Sequence, residues 1–226
     1  MINFDLFQPS RVLGHRILGA DAFVLSVERR HLSFRAGQHV GVGLPGEETR
    51  EYSIFSGQND ETLEILVRVV PGGRVSTSLS HLRPGDLVQV RPPRGSFTLA
   101  VRQKDERLVL ISTGTGISPY RSFLRSFKDL DYFLVHGIRD LQDDWAAEFA
   151  PEDHRLVCLS RHFPQGTVLK RPIFEGRVTN WLAQADLDPS KDRFFLCGNS
   201  RMIEEAKSVL LGRGIWGDRV HAEIYF

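Results

Sequence analysis

Cysteine is scarce: Cys158 and Cys197 are the only two in 226 residues. Each lies within or at the end of an apolar run. That pattern excludes a disulfide scaffold and leads us to expect a reducing, cytoplasmic compartment. Two thiolates are also too few for the usual ligand set of an iron–sulfur cluster. No apolar run approaches the roughly 20 residues of a membrane-spanning helix. The opening MINFDLFQPSRV contains Asp5 and has neither a basic nor an apolar leader region, so no secretion signal is expected. Neither sign of charge dominates, with 29 Lys and Arg against 28 Asp and Glu for a net +1. This argues against nucleic acid or an anionic membrane as partner. His15, His31, His39 and His81 are scattered without ligand spacing, and no metal is assigned. Repeats and low-complexity segments are absent too. What is present is ordinary globular composition, 41% hydrophobic and 25% charged, in a length that suits one large domain or two small ones.

The hydrophobic period changes midway. Residues 1–101 read as strands: Phe23, Leu25 and Val27 alternate, as do Leu63, Ile65, Val67 and Val69. Turn signals separate them at LPGE (44–47), PGG (71–73), RPGD (83–86) and RPPRG (91–95). An antiparallel barrel or sandwich is expected, interrupted by a short helix near 75–82. After the polar stretch VRQKDER (101–107) come buried strands at LVLIST (108–113), DYFLVHGI (131–138), RLVCLS (155–160) and RFFLCG (193–198). Helices are predicted over 118–127, with Ser118 as cap and Pro119 as first residue, over 176–185 and over 202–214. Gly212 or Gly214 would end the last one, and RVHAEIYF closes the chain as a strand. Alternating strands and helices imply a doubly wound parallel sheet. The expected domains are therefore 1–101, an antiparallel β-barrel, and 102–226, an α/β nucleotide-binding domain. Ligands of the latter sit at the C-terminal strand ends.

Four segments carry chemistry. ISTGTGISPY (111–120) is a strand, a glycine turn and a helix start, which lets backbone approach a phosphate; it lacks the third Gly of GxGxxG, and a ligand-free tight turn fits it equally. CGNSRM (197–202) ends another buried strand and should reach the same crevice. PGGRVSTSLSHL (71–82) offers a second anion site, or simply a turn capped by Ser76 or Thr77. Finally, TREYSIFSG (49–57) puts Arg50, Tyr52 and Ser53 on a strand, with Arg50 and Tyr52 on one face. An Arg for a diphosphate, a Tyr to stack on a planar ring and a Ser to hydrogen-bond a ring nitrogen would together hold a flavin.

REYS (50–53), GGRVS (72–76), GTGISP (114–119), LSR with GRV (159–161 and 176–178), CGNSRM and EIY (223–225), in that order, resemble the ferredoxin–NADP(+) reductase family, in its stand-alone bacterial form. The resemblance implies an FAD-binding barrel and an NADP-binding domain. For FAD it implies Arg50 at the diphosphate, Glu51 beside it in the motif, Tyr52 stacked on the isoalloxazine and Ser53 near N5. Arg68, Gly73, Arg74, Val75 and Ser76 would hold the rest, with Ser76 at the diphosphate and Thr115 touching flavin and nicotinamide. Thr113, Gly114, Thr115, Gly116, Gly198 and Met202 would line the NADP site. Cys197 would pack near the reacting nicotinamide carbon, and Glu223 near the flavin, so Ser53, Cys197 and Glu223 are the catalytic candidates. Tyr225 matches the family's terminal stacking aromatic. This chain adds Phe226, which is the alternative; Tyr225 is preferred.

NADP-selective sites use Arg for the 2′-phosphate where NAD sites use an acid. Arg139, Ser160, Arg161 and Arg177 fall at strand or helix ends and favour NADP(H), although Asp140 adjoins Arg139. The expected activity is hydride transfer between NADPH and FAD with one-electron exchange to ferredoxin or flavodoxin, by a monomer. Arg29, Arg30, Arg91 and Arg94 are candidates to dock the acidic partner, or plain solvated charges. Two other readings stand beside it: an NADH-dependent reductase component of an oxygenase system, and a non-catalytic nucleotide-binding regulatory subunit.

Overall fold

A computed structural model describes residues 8–99, 106–161 and 172–225, the side chain of Tyr225 excepted. The chain forms two compact units, Met1–Leu99 with Ser118–Ser126, and Ala100–Ile117 with Phe127–Phe226. The helix over Ser118–Ser126 thus groups with the barrel, although it follows the first strand of the α/β half.

The first unit holds strands β1 (Gln8–Ile17), β2 (Ala22–Glu28), β3 (His39–Gly43), β4 (Arg50–Ser53), β5 (Thr62–Arg68) and β6 (Leu87–Val90), with helix α1 (Arg74–Ser80) between β5 and β6. Its antiparallel sheet runs β4-β3-β6-β1-β2-β5. An Ile54–Ile65 bridge joins its two edges into a nearly closed barrel. The alternating residues explain the register. Phe23, Leu25 and Val27 stand opposite Val67, Ile65 and Leu63, and all six are buried in one cluster. A one-residue slip would turn the whole set to water.

Helix α2 (Ser118–Ser126) lies against this barrel. Arg121 Nη1 donates to the Phe55 carbonyl and to Glu64 Oε2, both at 2.8 Å, and its guanidinium sits 4.2 Å over the Phe55 ring. Ser122 Oγ donates to the Ser56 carbonyl at 2.7 Å, and Arg125 forks onto Asp60. The expected Ser118 cap is instead the first helical residue, because a 3-10 turn at Gly114–Ile117 runs straight into the helix.

The second unit adds β7 (Arg107–Thr113), β8 (Tyr132–Ile138), β9 (Arg155–Leu159), β10 (Ile173–Glu175), helix α3 (Val178–Gln184), β11 (Asp192–Asn199), helix α4 (Ser200–Gly212) and β12 (Val220–Tyr225). The sheet is parallel throughout, in the order β10-β9-β8-β7-β11-β12. Val109, Ile111, Val135, Phe194 and Leu196 face α3 and α4 in one buried cluster. Helix α4 starts two residues earlier than its pattern suggests, at Ser200, with Asn199 Oδ1 accepting from the Met202 N–H. It ends in a Schellman motif: Gly214 at φ 76°, its N–H to the Leu211 carbonyl, and the Ile215 N–H to that of Leu210. Among the described residues no helix is long and apolar enough to cross a membrane.

The α2 clamp is testable. Arg121→Met strands the Glu64 carboxylate, whose side chain is only 21% exposed, and should cost about 2 kcal/mol in urea unfolding. Glu64→Gln in the same chain should recover about 1 kcal/mol of that loss, a coupling that additivity would not give.

Candidate functional site

In the barrel unit, β4 presents the Arg-Tyr-Ser set. Arg50 is exposed and pairs with Glu48 at 2.9 Å. Tyr52 is half-buried against the barrel core, and burial pushes its phenol up to about 12 against the pull of Arg50. Its ring therefore stays neutral at all working pH. Ser53 is 2% exposed. Glu51 lies 3.6 Å from His39. Arg68, at the end of β5, meets Asp21 at 3.1 Å.

Helix α1 begins after Gly73, which offers no side-chain cap, and the preceding Gly72 has φ 75°. Neither Ser76 nor Thr77 caps it: Ser76 Oγ reaches back to accept from the Val70 N–H at 3.1 Å. Arg74 is exposed at the first helical position, and Val75 is buried in the cluster that Tyr52 packs on. Of the docking candidates, Arg29 is committed elsewhere, donating to the Leu32 and Asp60 carbonyls and lying over Phe34. Arg30 pairs with Glu28, and Arg94 remains exposed.

In the α/β unit, strand order reverses between β7 and β11, and such a switch point opens a crevice at the strand ends. Both expected segments end there. A Cβ on Gly116 would overlap the Cys197 carbonyl, and one on Gly198, at φ 140°, would overlap Thr113 Oγ1. Thr113 Oγ1 in turn accepts from the Asn199 N–H at 3.2 Å. The two backbones thus touch with no room for side chains. Gly114 has φ 54°, and Thr115 is half-buried in the same turn.

Register aligns His136, Ser112, Cys197 and Glu223 in one row across β8, β7, β11 and β12. The row lies on the face turned away from α3 and α4, since Phe194 and Leu196 take the other face. The sequence reading named Cys197 and Glu223 of this row, and not Ser112 or His136. The available signal was a polar residue inside an otherwise apolar buried strand. His136 is 1% exposed, and its Nε2 lies 3.0 Å from the Gly114 carbonyl. Burial lowers its pKa to about 4, outweighing the hydrogen bond and the carboxylates of Asp144 and Asp143.

The other nucleotide candidates divide. Arg139, Arg161 and Arg177 are exposed after β8, after β9 and at the N-cap of α3. Ser160 Oγ donates to the Ile138 carbonyl at 3.0 Å, so its proton is engaged. Met202 turns into the core under α4. Arg201, which the sequence reading passed over, stands in the first turn of α4, paired with Glu205 at 2.9 Å, and Arg177 also pulls on that carboxylate. Tyr225 pairs Asn199 along β12, and Phe226 lies outside the described residues.

A flavin-type barrel followed by a doubly wound nucleotide-binding unit is the architecture of the two-domain flavoprotein reductases. Residues 18–99 match the family model for the oxidoreductase FAD-binding domain. The chain is 30% identical over 213 residues to ferredoxin–NADP reductase of Pseudomonas aeruginosa, covering 81% of each. It is 31% identical over 203 residues to flavodoxin/ferredoxin–NADP reductase of Escherichia coli, covering 82% of each. It also matches the toluate 1,2-dioxygenase electron transfer component of Pseudomonas putida at 28%, spanning 59% of that longer protein. A crystal structure of a Neisseria gonorrhoeae ferredoxin–NADP+ reductase with FAD and NADP shares the fold, with a TM-score of 0.85 at 21% identity over 97% of this chain and 99% of that one. The chain belongs to the ferredoxin–NADP reductase family, and its barrel is that family's FAD-binding domain.

Two measurements probe this geometry. Gly116→Ala must push β11 from the turn, and should lower Tm by roughly 5 °C or more. His136 binds its proton near pH 4 when folded and near 6.5 when unfolded, so the unfolded chain takes up the proton first on acidification. Its contribution is complete above about pH 6.5 and lost as pH falls to about 4, a difference of about 3 kcal/mol. The urea midpoint of wild type should therefore drop more over that window than that of His136→Gln.

Proposed function

We propose that this protein takes hydride from NADPH onto FAD and passes the electrons singly to a ferredoxin or flavodoxin. The observation that supports the nucleotide half most directly is the Gly114–Ile117 turn seated without Cβ room on the end of β11 at the switch point. The chemistry supplied by the flavin, when bound, is hydride acceptance followed by one-electron release. The chain's residues fit it. Tyr52 offers a neutral, half-buried ring to stack against, and Ser53 a hydroxyl on the same strand. Arg50 would hold a diphosphate on leaving Glu48, and the uncapped start of α1 with Arg74 would add N–H donors and charge. Cys197 and Glu223 stand side by side in register, with Cys197 fully buried.

Arg161 and Arg177, with Arg139, would hold the 2′-phosphate that distinguishes NADPH from NADH. Ser160 joins them only if its hydroxyl releases Ile138. The partner is small, acidic and soluble, and the reductase works as a cytoplasmic monomer. A second reading, an NADH-linked reductase feeding an oxygenase, is favoured by the likeness to the toluate dioxygenase component and by Asp140 beside Arg139.

An anaerobic absorbance titration decides between them. NADPH should bleach the bound flavin at about one equivalent. Arg161→Ala and Arg177→Ala should each raise KM for NADPH about tenfold while leaving that for NADH within about twofold. Reduction by NADH in preference to NADPH moves the assignment to the oxygenase reading, and a protein that takes up no FAD overturns both.

A further inference from the structure

Gly114 and Gly116 flank Thr115; the contact with the Cys197 carbonyl fixes the Gly116 end of the turn, while the backbone at Gly114 keeps the freedom of a glycine. The Gly114 φ of 54° is one of several wells open to such a residue. A side chain of the sheet reaches it: His136, on β8, with Nε2 3.0 Å from the Gly114 carbonyl. A carbonyl only accepts, so Nε2 carries the proton and Nδ1 is the bare nitrogen. Nδ1 is buried and has no hydrogen-bond partner. The charged groups around the ring are Asp143, Asp144 and Arg155, and Arg155 is already paired with Asp144 at 2.7 Å. An imidazole so placed gives up hydration at one nitrogen and gains a single bond, to the turn. A leucine there would bury as well without that loss, so core packing does not account for it.

In a planar trans peptide the C=O and N–H point in opposite directions. Holding the Gly114 carbonyl toward β8 therefore aims the Thr115 N–H away from it. We propose that His136 is a positioning residue: by fixing the Gly114–Thr115 peptide it sets the orientation of the glycine turn and with it the affinity for the pyridine nucleotide. The proposal rests on the reading that this turn receives that nucleotide.

The test compares His136→Leu, which removes the donor, with His136→Gln, whose amide nitrogen can replace Nε2–H. Binding of NADPH to the FAD-loaded protein is titrated alongside kcat, KM and the flavin spectrum. His136→Leu should weaken NADPH binding about tenfold, with kcat at saturation and the flavin bands unchanged. His136→Gln should stay within about twofold of wild type. Equal binding by His136→Leu and wild type overturns the proposal, as does an equal loss in both variants, which would make the histidine a packing residue. Wild type that binds no pyridine nucleotide removes the underlying reading, and the proposal with it. If His136→Leu does not fold, 15N spectra of wild type still decide: a proton on Nε2 with Nδ1 bare is expected, and the opposite tautomer overturns the assignment.

Discussion

Backbone meeting backbone at the ends of β7 and β11 is the constraint on which the α/β unit turns. Gly116 passes over the Cys197 carbonyl, and Gly198 passes Thr113, with no space for a Cβ at either point. This contact exists because strand order reverses there, leaving two chain segments to depart from neighbouring strands in close company. The neighbouring residues conform to it. The turn must be glycine-rich, Asn199 must leave β11 at the place where it can cap α4, and Thr113 must turn its hydroxyl toward the Asn199 N–H. Sterics, capping and hydrogen bonding here agree on one arrangement, which is how a sequence comes to specify a site and not merely a fold.

The parallel strands were legible because both of their faces are covered, giving unbroken apolar runs. Barrel strands were legible from alternation, since one face meets the core. The end of α4 was legible from its glycines. Its start was not, because Asn199 caps without the acidic partner that usually marks a capping box. Short 3-10 turns such as Trp145–Glu148 and the three-residue β10 carry too few residues to show a period. The allegiance of α2 was beyond the sequence altogether. Arg121 and Arg125 look like solvated charges in the chain, and only the fold brings them to Glu64 and Asp60, 57 and 65 residues away.

The site divides along similar lines. Arg50, Tyr52 and Ser53 stand out in the sequence as a polar set on a short strand, and the fold gives each a structural setting as well: Arg50 pairs with Glu48, Tyr52 packs on the barrel core and Ser53 is buried. The row of His136, Ser112, Cys197 and Glu223 depends on register among four parallel strands, which no local pattern encodes. Cys197 and Glu223 entered through family likeness. Ser112 and His136 had only their oddity within apolar strands to announce them, and the scattered histidines of the barrel half drew attention to other positions.

The helix starts carry one further regularity. Aspartate and glutamate normally gather in the first turn of a helix, where they meet its positive end. The first turns of α1, α2, α3 and α4 contain none. Three of them carry arginine instead: Arg74 opens α1, Arg177 sits at the N-cap of α3 and Arg201 lies in the first turn of α4. Each arginine there adds to a field that is already positive, which Arg201 partly offsets through its i,i+4 pair with Glu205. The net charge of +1 shows that this is local placement and not general basicity. Local choices that weaken an element make sense where something else repays them. On the function proposed above, phosphates would supply that return, because a dianion near such a helix start relieves the repulsion. FAD and NADP(H) bring a diphosphate each, and NADP(H) a third phosphate on its ribose.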